Sequence, residues 1–291
     1  MKPLPIALLT LAIGGAVFAD EIPGKNLVLD LDAARGVEVD PKNRVLAWRN
    51  QVASSAARDF APNDKGRKVP GSGVPSFVPA GGQRKFPAIA FRQQELINGE
   101  EDAFDHLTQG SGHTWYAVVS PFDQTSAQKN THAIFGNLRN TNAAGGGTGG
   151  QYEGFWGTLH DDRRVYAGVR NGVDFTRNNA NNPEVLSKTA LEKNRFYLVA
   201  GRMGSGTGTV KVEVFVNAPV AEKSATVLVN EKANPSKMAI GQERDATNHP
   251  GAESCDAEIA RLLIFDSAHS DAEMAGIFTS LTEKYGIVAD R

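Results

Sequence analysis

The residues best suited to ligand chemistry in this 291-residue chain lie between Tyr152 and Arg170. The segment reads as two strands joined by a turn at Asp161-Asp162. At a period of two, Tyr152, Gly154, Trp156, Thr158 and His160 share one face of the first strand. Arg164, Tyr166, Gly168 and Arg170 share one face of the second. A surface that combines Trp and Tyr with Arg and His suits a sugar. Aromatic faces stack on the C–H side of the ring, and charged donors reach hydroxyls or carboxylates. Tyr152, Trp156, His160, Tyr166 and Arg170 are therefore the candidate ligand-binding residues. The competing reading makes Trp156 and Tyr166 ordinary sandwich core, with His160 and Arg170 on its rim. Register matters to both readings, because a slip of one residue turns the second strand's set away.

Hard-oxygen chemistry has a second candidate. Asp245 and Asp256 border a long loop before the last apolar run, and are the candidate calcium ligands. Calcium needs several carboxylate and carbonyl oxygens. The alternative for these residues, and for Asp161-Asp162, is a solvated turn carboxylate. Cys255 is the sole cysteine, so no internal disulfide forms. A nucleophilic thiol needs a His and a positive neighbourhood. His249 is the one nearby residue of that kind, and Cys255 reads as an inert thiol. The tract Gly145 to Gly150 contains a formal Gly-x-Gly-x-x-Gly, but an aromatic strand follows it instead of a helix, which argues against a nucleotide site. There is no Gly-Lys-Ser/Thr, His-Glu-x-x-His or Gly-x-Ser-x-Gly sequence. Asn234-Pro235-Ser236 is barred from glycosylation by its proline.

The elements that must position these residues are short β runs separated by turns. Leu27–Leu31, Val45–Trp48, Phe86–Arg92, His113–Ser120 and Ala133–Gly136 precede the candidate segment. Phe196–Arg202, Val210–Asn217, Lys237–Gly241 and Glu258–Phe265 follow it. Val210, Val212, Val214 and Val216 alternate with other residues, the pattern of a half-buried strand. Many strands without interleaved helices predict a sandwich. Ser54–Gly82, Asn137–Gly150, Asn178–Glu184 and Glu243–Glu253 read as long loops. One helix is expected near the end. Ser270-Asp271-Ala272-Glu273 is a capping box, and Met274, Ile277, Phe278, Leu281 and Tyr285 follow at helical spacing up to Gly286.

Three stretches carry a family resemblance. The first is Leu29-Asp30-Leu31-Asp32-Ala33-Ala34 with Val45-Leu46-Ala47-Trp48-Arg49-Asn50. The second is Pro87-Ala88-Ile89-Ala90-Phe91 with Thr114-Trp115-Tyr116-Ala117-Val118-Val119. The third is Glu258 to Asp266 with Ser270 to Glu273 and Leu281 to Ile287. Across Leu27 to Ile287 the chain resembles the concanavalin A-like lectin/glucanase superfamily, in particular the laminin-G-like domains of exported bacterial proteins. The resemblance implies an all-β, antiparallel jelly-roll sandwich with one C-terminal α-helix. It implies lectin, adhesion or glycan-cleaving roles, and calcium is typical of the family. It does not extend to the alternating Glu/Asp/Glu strand of the retaining glucanases. Glu253-Ser254-Cys255-Asp256-Ala257-Glu258 has the wrong spacing to hold three carboxylates on one strand face, and reads as a turn entering the last strand.

Composition limits the rest. Lys and Arg number 31 against 33 Asp and Glu, a net charge of −2, which lacks the basic surplus of a general nucleic-acid binder. Lys2, the apolar run from Leu4 to Val17 and Val17-Phe18-Ala19 read as a signal peptide cleaved after Ala19. The run is shorter than the ~20 residues of a spanning helix, so no membrane span is expected after cleavage. The expected organisation is a signal peptide over 1–19 and one sandwich domain over 20–291. The expected protein is secreted, periplasmic or at the cell surface. Its expected function is binding a polysaccharide or glycoconjugate, as a lectin-like or adhesion-type protein. The alternative is a glycan-degrading hydrolase or lyase on the same fold.

Overall fold

The computed structural model describes residues 22–63, 72–82, 85–140, 152–173, 179, 181–243 and 251–288. The strands, in chain order, are β1 Leu27–Asp32, β2 Val37–Val39, β3 Val45–Arg49, β4 Asp59–Pro62, β5 Ser76–Val78 and β6 Ala88–Arg92. Then come β7 Leu96–Asn98, β8 His113–Pro121, β9 His132–Gly136, β10 Arg139–Asn140, β11 Tyr152–Leu159 and β12 Arg164–Asn171. The last are β13 Leu186–Ala190, β14 Tyr197–Met203, β15 Thr209–Val216, β16 Lys223–Leu228, β17 Ala239–Ile240 and β18 Asp256–Phe265, followed by α1 Asp271–Tyr285. They form two antiparallel sheets, the expected jelly-roll sandwich with its C-terminal helix. The smaller sheet has the order β16-β15-β14-β8-β18-β6-β5, with β1 also on β18. The larger has the order β13-β12-β11-β9-β17-β7-β4-β3-β2, with β10 on β11.

β18 is buried along its whole length because both faces and both edges are covered. On one edge it pairs with β8; on the other, β6 takes Asp256 to Ile259 and β1 takes Arg261 to Phe265. One face of this sheet, with Phe91, Trp115, Val119, Leu262 and Ile264, enters the core between the sheets. The other, with Tyr116, Val118, Leu198, Leu263 and Phe265, meets the helix. Burial on both faces explains the nearly unbroken apolar sequence Ile259 to Phe265, where an exposed strand would alternate. Arg261 interrupts it and is 1% exposed; its Nε and Nη2 donate to the two Asp30 carboxylate oxygens at 3.0 Å each. A buried charge is tolerated where such a paired, bidentate partner answers it.

The helix follows its sequence signals. Ser270 Oγ accepts from Glu273 N–H at 3.3 Å, and Glu273 Oε2 accepts from Ser270 N–H at 2.7 Å. Gly286 closes the helix at φ 62°, where a side chain would be strained. Met274, Ile277, Phe278, Leu281 and Tyr285 are the buried stripe, packed on the smaller sheet. The four valines of β15 point into the core.

Three expectations change. The segment Ser54–Gly82 contains β4 and β5. These strands are three or four residues long and lie among Pro and Gly, so alternation has no room to show. Asp256 and Ala257 belong to β18 itself, not to a turn before it, and within the expected loop Asn137–Gly150, Arg139 and Asn140 pair with β11 as β10.

Candidate functional site

The inner face of β11 and β12 carries Phe155, Leu159, Val165, Ala167 and Val169 into the core. The opposite residues therefore lie on the outer face of the larger sheet. The register puts Gly154 opposite Arg170, Trp156 opposite Gly168 and Thr158 opposite Tyr166. Directly opposed residues share a face, so the second strand's set is turned toward the first.

All five sequence-derived ligand residues meet there in one row. The His160 and Tyr166 rings are 5.8 Å apart, edge to face. Tyr166 and Trp156 are 5.4 Å apart at 77°. The Arg170 guanidinium carbon is 5.7 Å from the Trp156 ring and 5.8 Å from Tyr152. Edge-to-face rings and a cation over a ring face are favourable geometries, worth about 0.5–1.5 kcal/mol each.

Glycine makes room for this row. Trp156 is paired with Gly136 on one neighbouring strand and Gly168 on the other. A Cβ added at Gly168 would sit 2.5 Å from Trp156 Cδ2 and closer still to Cε2 and Cζ2. The indole thus lies down across β12, over a position with no side chain. The consequence is that Trp156 is only 2% exposed. It presents no open face on which a pyranose could stack, so it is not the stacking platform that the sequence proposed. Tyr152 and Tyr166, both partly exposed, are the available aromatic faces. Trp156 nevertheless lies outside the inter-sheet core, so it is not plain sandwich core either.

Tyr152, Trp156, Tyr166 and Arg170 line a cavity of about 80 Å³. Gln128, Thr131, Leu138, Glu243 and Glu253 complete it. His160 stands at the far end of the row, outside the lining, with Nε2 3.6 Å from Glu184 Oε1. The Trp156 indole Nε1 is buried without a hydrogen-bond partner among the described residues. Trp48 Nε1 shares that condition in the core, but only Trp156 borders this cavity.

The sequence reading missed the two carboxylates. Gln242 and Ser254 form an antiparallel bridge, and Glu243 N–H donates to the Glu253 carbonyl at 3.4 Å. Glu243 and Glu253 are thus opposed across this short ladder, and both residues line the cavity. The signal was a loop that begins and ends in Glu, but only the ladder brings those ends together.

The calcium ligands fare differently. Asp245 lies outside the described residues. Asp256 Oδ2 is held by Thr125 N–H at 2.9 Å and by Thr125 Oγ1 at 2.7 Å, so its carboxylate fastens the segment after β8. No group of three His, Cys, Asp or Glu among the described residues is arranged to hold a metal. In the turn, Arg164 answers Asp162 at 2.7 Å. Burial pushes the Asp161 carboxyl upward, but hydrogen bonds from Asn130 N–H and His132 outweigh it and hold it below the usual range. Burial, and then the nearby Asp256, push the Cys255 thiol well above its ordinary value, which keeps it protonated and inert. His249 and the tract Gly145 to Gly150 lie outside the described residues.

A polar relay adjoins this region. Ser126 Oγ is 2.8 Å from His132 Nδ1, and His132 Nε2 is 2.7 Å from Asp161 Oδ1. These are the residue types of a hydrolytic triad. Ser126, however, is 4% exposed and His132 is fully buried, so no acyl group reaches the hydroxyl. The relay ties the segment before β9 to the β11–β12 turn.

No protein-family model matches the chain, and no curated protein matches it in sequence. Solved structures do resemble it. A Trypanosoma rangeli sialidase in complex with sialic acid aligns with TM-score 0.50 and 15% identity, over 89% of this chain and 33% of the sialidase. Domain 4 of AbnA, an extracellular arabinanase from Geobacillus stearothermophilus, in complex with arabinotriose, aligns with TM-score 0.49 and 14% identity. That match covers 87% of this chain and 98% of the domain. A SAP-like pentraxin from Limulus polyphemus aligns with TM-score 0.39 and 19% identity, over 69% of this chain and 79% of the pentraxin. The chain spans a third or less of the sialidases it matches, at 33% and 27% of their lengths. At such identities the sialidase match shows the fold, a β-sandwich, and nothing narrower.

Proposed function

We propose that this protein binds carbohydrate, as a lectin-like or adhesion-type protein, on the outer face of the larger sheet. One observation carries the reading: the row of His160, Tyr166, Trp156, Arg170 and Tyr152, whose last four members line a cavity, together with the Trp156 N–H, buried without a partner among the described residues. A buried donor left unpaired costs about 1–3 kcal/mol. A ligand hydroxyl accepting from it recovers that cost, while Tyr152 and Tyr166 offer faces to a sugar ring. The cavity is about half the ~150 Å³ of an engineered cavity that admits benzene. It therefore suits a substituent of a sugar, such as a hydroxymethyl group, with the ring held outside.

The test is a glycan panel read by binding isotherms, with Trp156→Phe as the probe. Phe keeps the apolar bulk and removes the donor. The expected result is roughly fivefold weaker binding, the effect of losing one hydrogen bond, with no fall in melting temperature, since Phe also removes the unpaired donor from the free protein. A panel on which the wild-type protein binds no glycan would refute the reading.

We also infer export, from the character of residues 1–19, with 20–291 as the mature chain. N-terminal sequencing of exported material should begin at Asp20. Among the described residues no helix is long and apolar enough to cross a membrane. A second reading, a glycan-degrading enzyme, draws on Glu243 and Glu253, because carboxylate pairs serve as acid and base in glycoside hydrolysis. Release of reducing ends from the panel glycans, lost in Glu243→Gln, would establish it.

A further inference from the structure

On one side of the sandwich, β13 is the edge strand of the larger sheet and β16 that of the smaller. β13 is irregular. It pairs with β12 through Ala190 opposite Arg164 and Leu186 opposite Tyr166. Between these pairs β12 supplies only Val165, whereas β13 supplies Ser187, Lys188 and Thr189, so the edge strand bulges. Ser187 fills the break: its Oγ accepts from Val165 N–H and donates to the Thr189 carbonyl, both at 2.8 Å. The N–H groups of Lys188 and Thr189 serve another partner. Both donate to Glu222 Oε2, at 2.7 and 2.9 Å, and Thr189 Oγ1 donates to Glu222 Oε1 at 2.7 Å. Glu222 is the residue before β16, so this carboxylate joins the two edges. Its own N–H is fixed to the Val214 carbonyl at 2.9 Å. Bonds to a carboxylate are charge-assisted and about twice as strong as neutral ones. On the opposite side of the sandwich the main chain makes the closure. Phe77 N–H donates to the Asn43 carbonyl at 2.8 Å and Val45 N–H to the Pro75 carbonyl at 2.9 Å, which lays β5 against the entry to β3.

An edge strand with open N–H groups is a template for a strand of another chain, and a second copy is always at hand at the protein's own concentration. Bulges and charges placed on an edge act against such pairing. We propose that Glu222 guards the β13 edge: its carboxylate occupies, within one chain, the main-chain donors of Lys188 and Thr189 that would otherwise take up a strand from a second copy. This role is independent of what the outer face of the larger sheet binds.

The experiment reads amide exchange at Lys188 and Thr189, together with sedimentation over a concentration series, in the wild-type protein and in Glu222→Ala. In the wild type both amides should exchange slowly, although they belong to an edge strand. In Glu222→Ala they should exchange about tenfold faster or more, the loss of one charge-assisted hydrogen bond at each. The variant should also self-associate more than the wild type as its concentration rises. Formate, a free carboxylate small enough for the emptied place, should slow the exchange and reverse the association. Faster exchange without added association overturns the guard role. Association that formate leaves in place puts the contact elsewhere and overturns it as well. Slow exchange at both amides in Glu222→Ala, or rapid exchange at both in the wild type, overturns the latch itself. If Glu222→Ala fails to fold, Glu222→Asp takes its place, since its carboxylate falls one methylene short, and is read by exchange and association in the same way.

Discussion

Two tryptophans in this chain face a glycine across a strand pair, and the contrast between them tests where the structure puts its core. Trp156 opposes Gly168 on the outer face of the larger sheet, and Trp115 opposes Gly201 inside the sandwich. A Cβ at Gly168 would lie 2.5 Å from Trp156 Cδ2, and a Cβ at Gly201 would lie 2.5 Å from Trp115 Cε2. Ordinary carbon contacts start near 3.5 Å, so alanine at either place must push an indole by about 1 Å or more. The outcomes should differ because the surroundings differ. Trp156 borders a cavity and can swing outward. Trp115 is held by Phe135, 5.2 Å away edge to face, and by Gly157, whose own Cβ position is 3.1 Å from Trp115 Cη2. Overpacking a closed core costs about 1–3 kcal/mol. Gly201→Ala should reach the upper end, and Gly168→Ala about 1 kcal/mol. At roughly 2 °C per kcal/mol for a chain of this size, thermal melts should fall by about 6 °C and 2 °C. Emission should red-shift only in Gly168→Ala, as Trp156 meets water while Trp48 and Trp115 stay buried. Equal melting losses, or an unshifted Gly168→Ala spectrum, would refute the outer-face placement.

Other outcomes follow from the same contacts. Phe278→Ala, emptying the helix–sheet contact, should cost about 3–5 kcal/mol, whereas Ser270→Ala should cost about 1 kcal/mol as the loss of a cap; denaturation midpoints ranked the other way would contradict the docking. Burial, then repulsion from Asp102, Glu101 and Glu153, raises the Asp105 carboxyl to about 7. The folded state therefore holds this proton more tightly than the unfolded chain, and Asp105 lowers stability as pH rises from about 4 through 7. Asp105→Asn should raise the melting temperature at pH 8, with the gain vanishing near pH 4; a gain independent of pH would count against this. Cys255 should resist thiol reagents until the protein unfolds, and rapid labelling of the native protein would show that the segment entering β18 opens.

Sequence pattern revealed the parts whose signals are local. The valines of β15, the capping box of Ser270 and Glu273, and the turn between β11 and β12 each lie within a few residues, where periodicity and propensity act. The candidate row was legible because period two fixes which residues share a strand face. Its register was not, because nothing within Tyr152 to Arg170 says which glycine Trp156 will lie on. That depends on Gly136 from β9 and on packing across three strands. Glu243 and Glu253 were hidden for the same reason, since their opposition comes from the bridge of Gln242 to Ser254. Asp256 shows the reverse error. Its residue type resembles a metal ligand, but Thr125, 131 positions away, uses its carboxylate as a fastener.

The place of β18 also bears on how the chain reaches this state. It is the last of the described strands, yet it sits in the middle of the smaller sheet, between β8 on one edge and β6 with β1 on the other. Until Asp256 to Phe265 has emerged from synthesis, those three strands have no common neighbour, and the Asp30 carboxylate lacks Arg261. Such non-local closure folds slowly, and open strand edges invite pairing with other chains. The sandwich should therefore assemble only after β18 has been made. A fragment ending before Asp256 should aggregate instead of forming a smaller stable sheet.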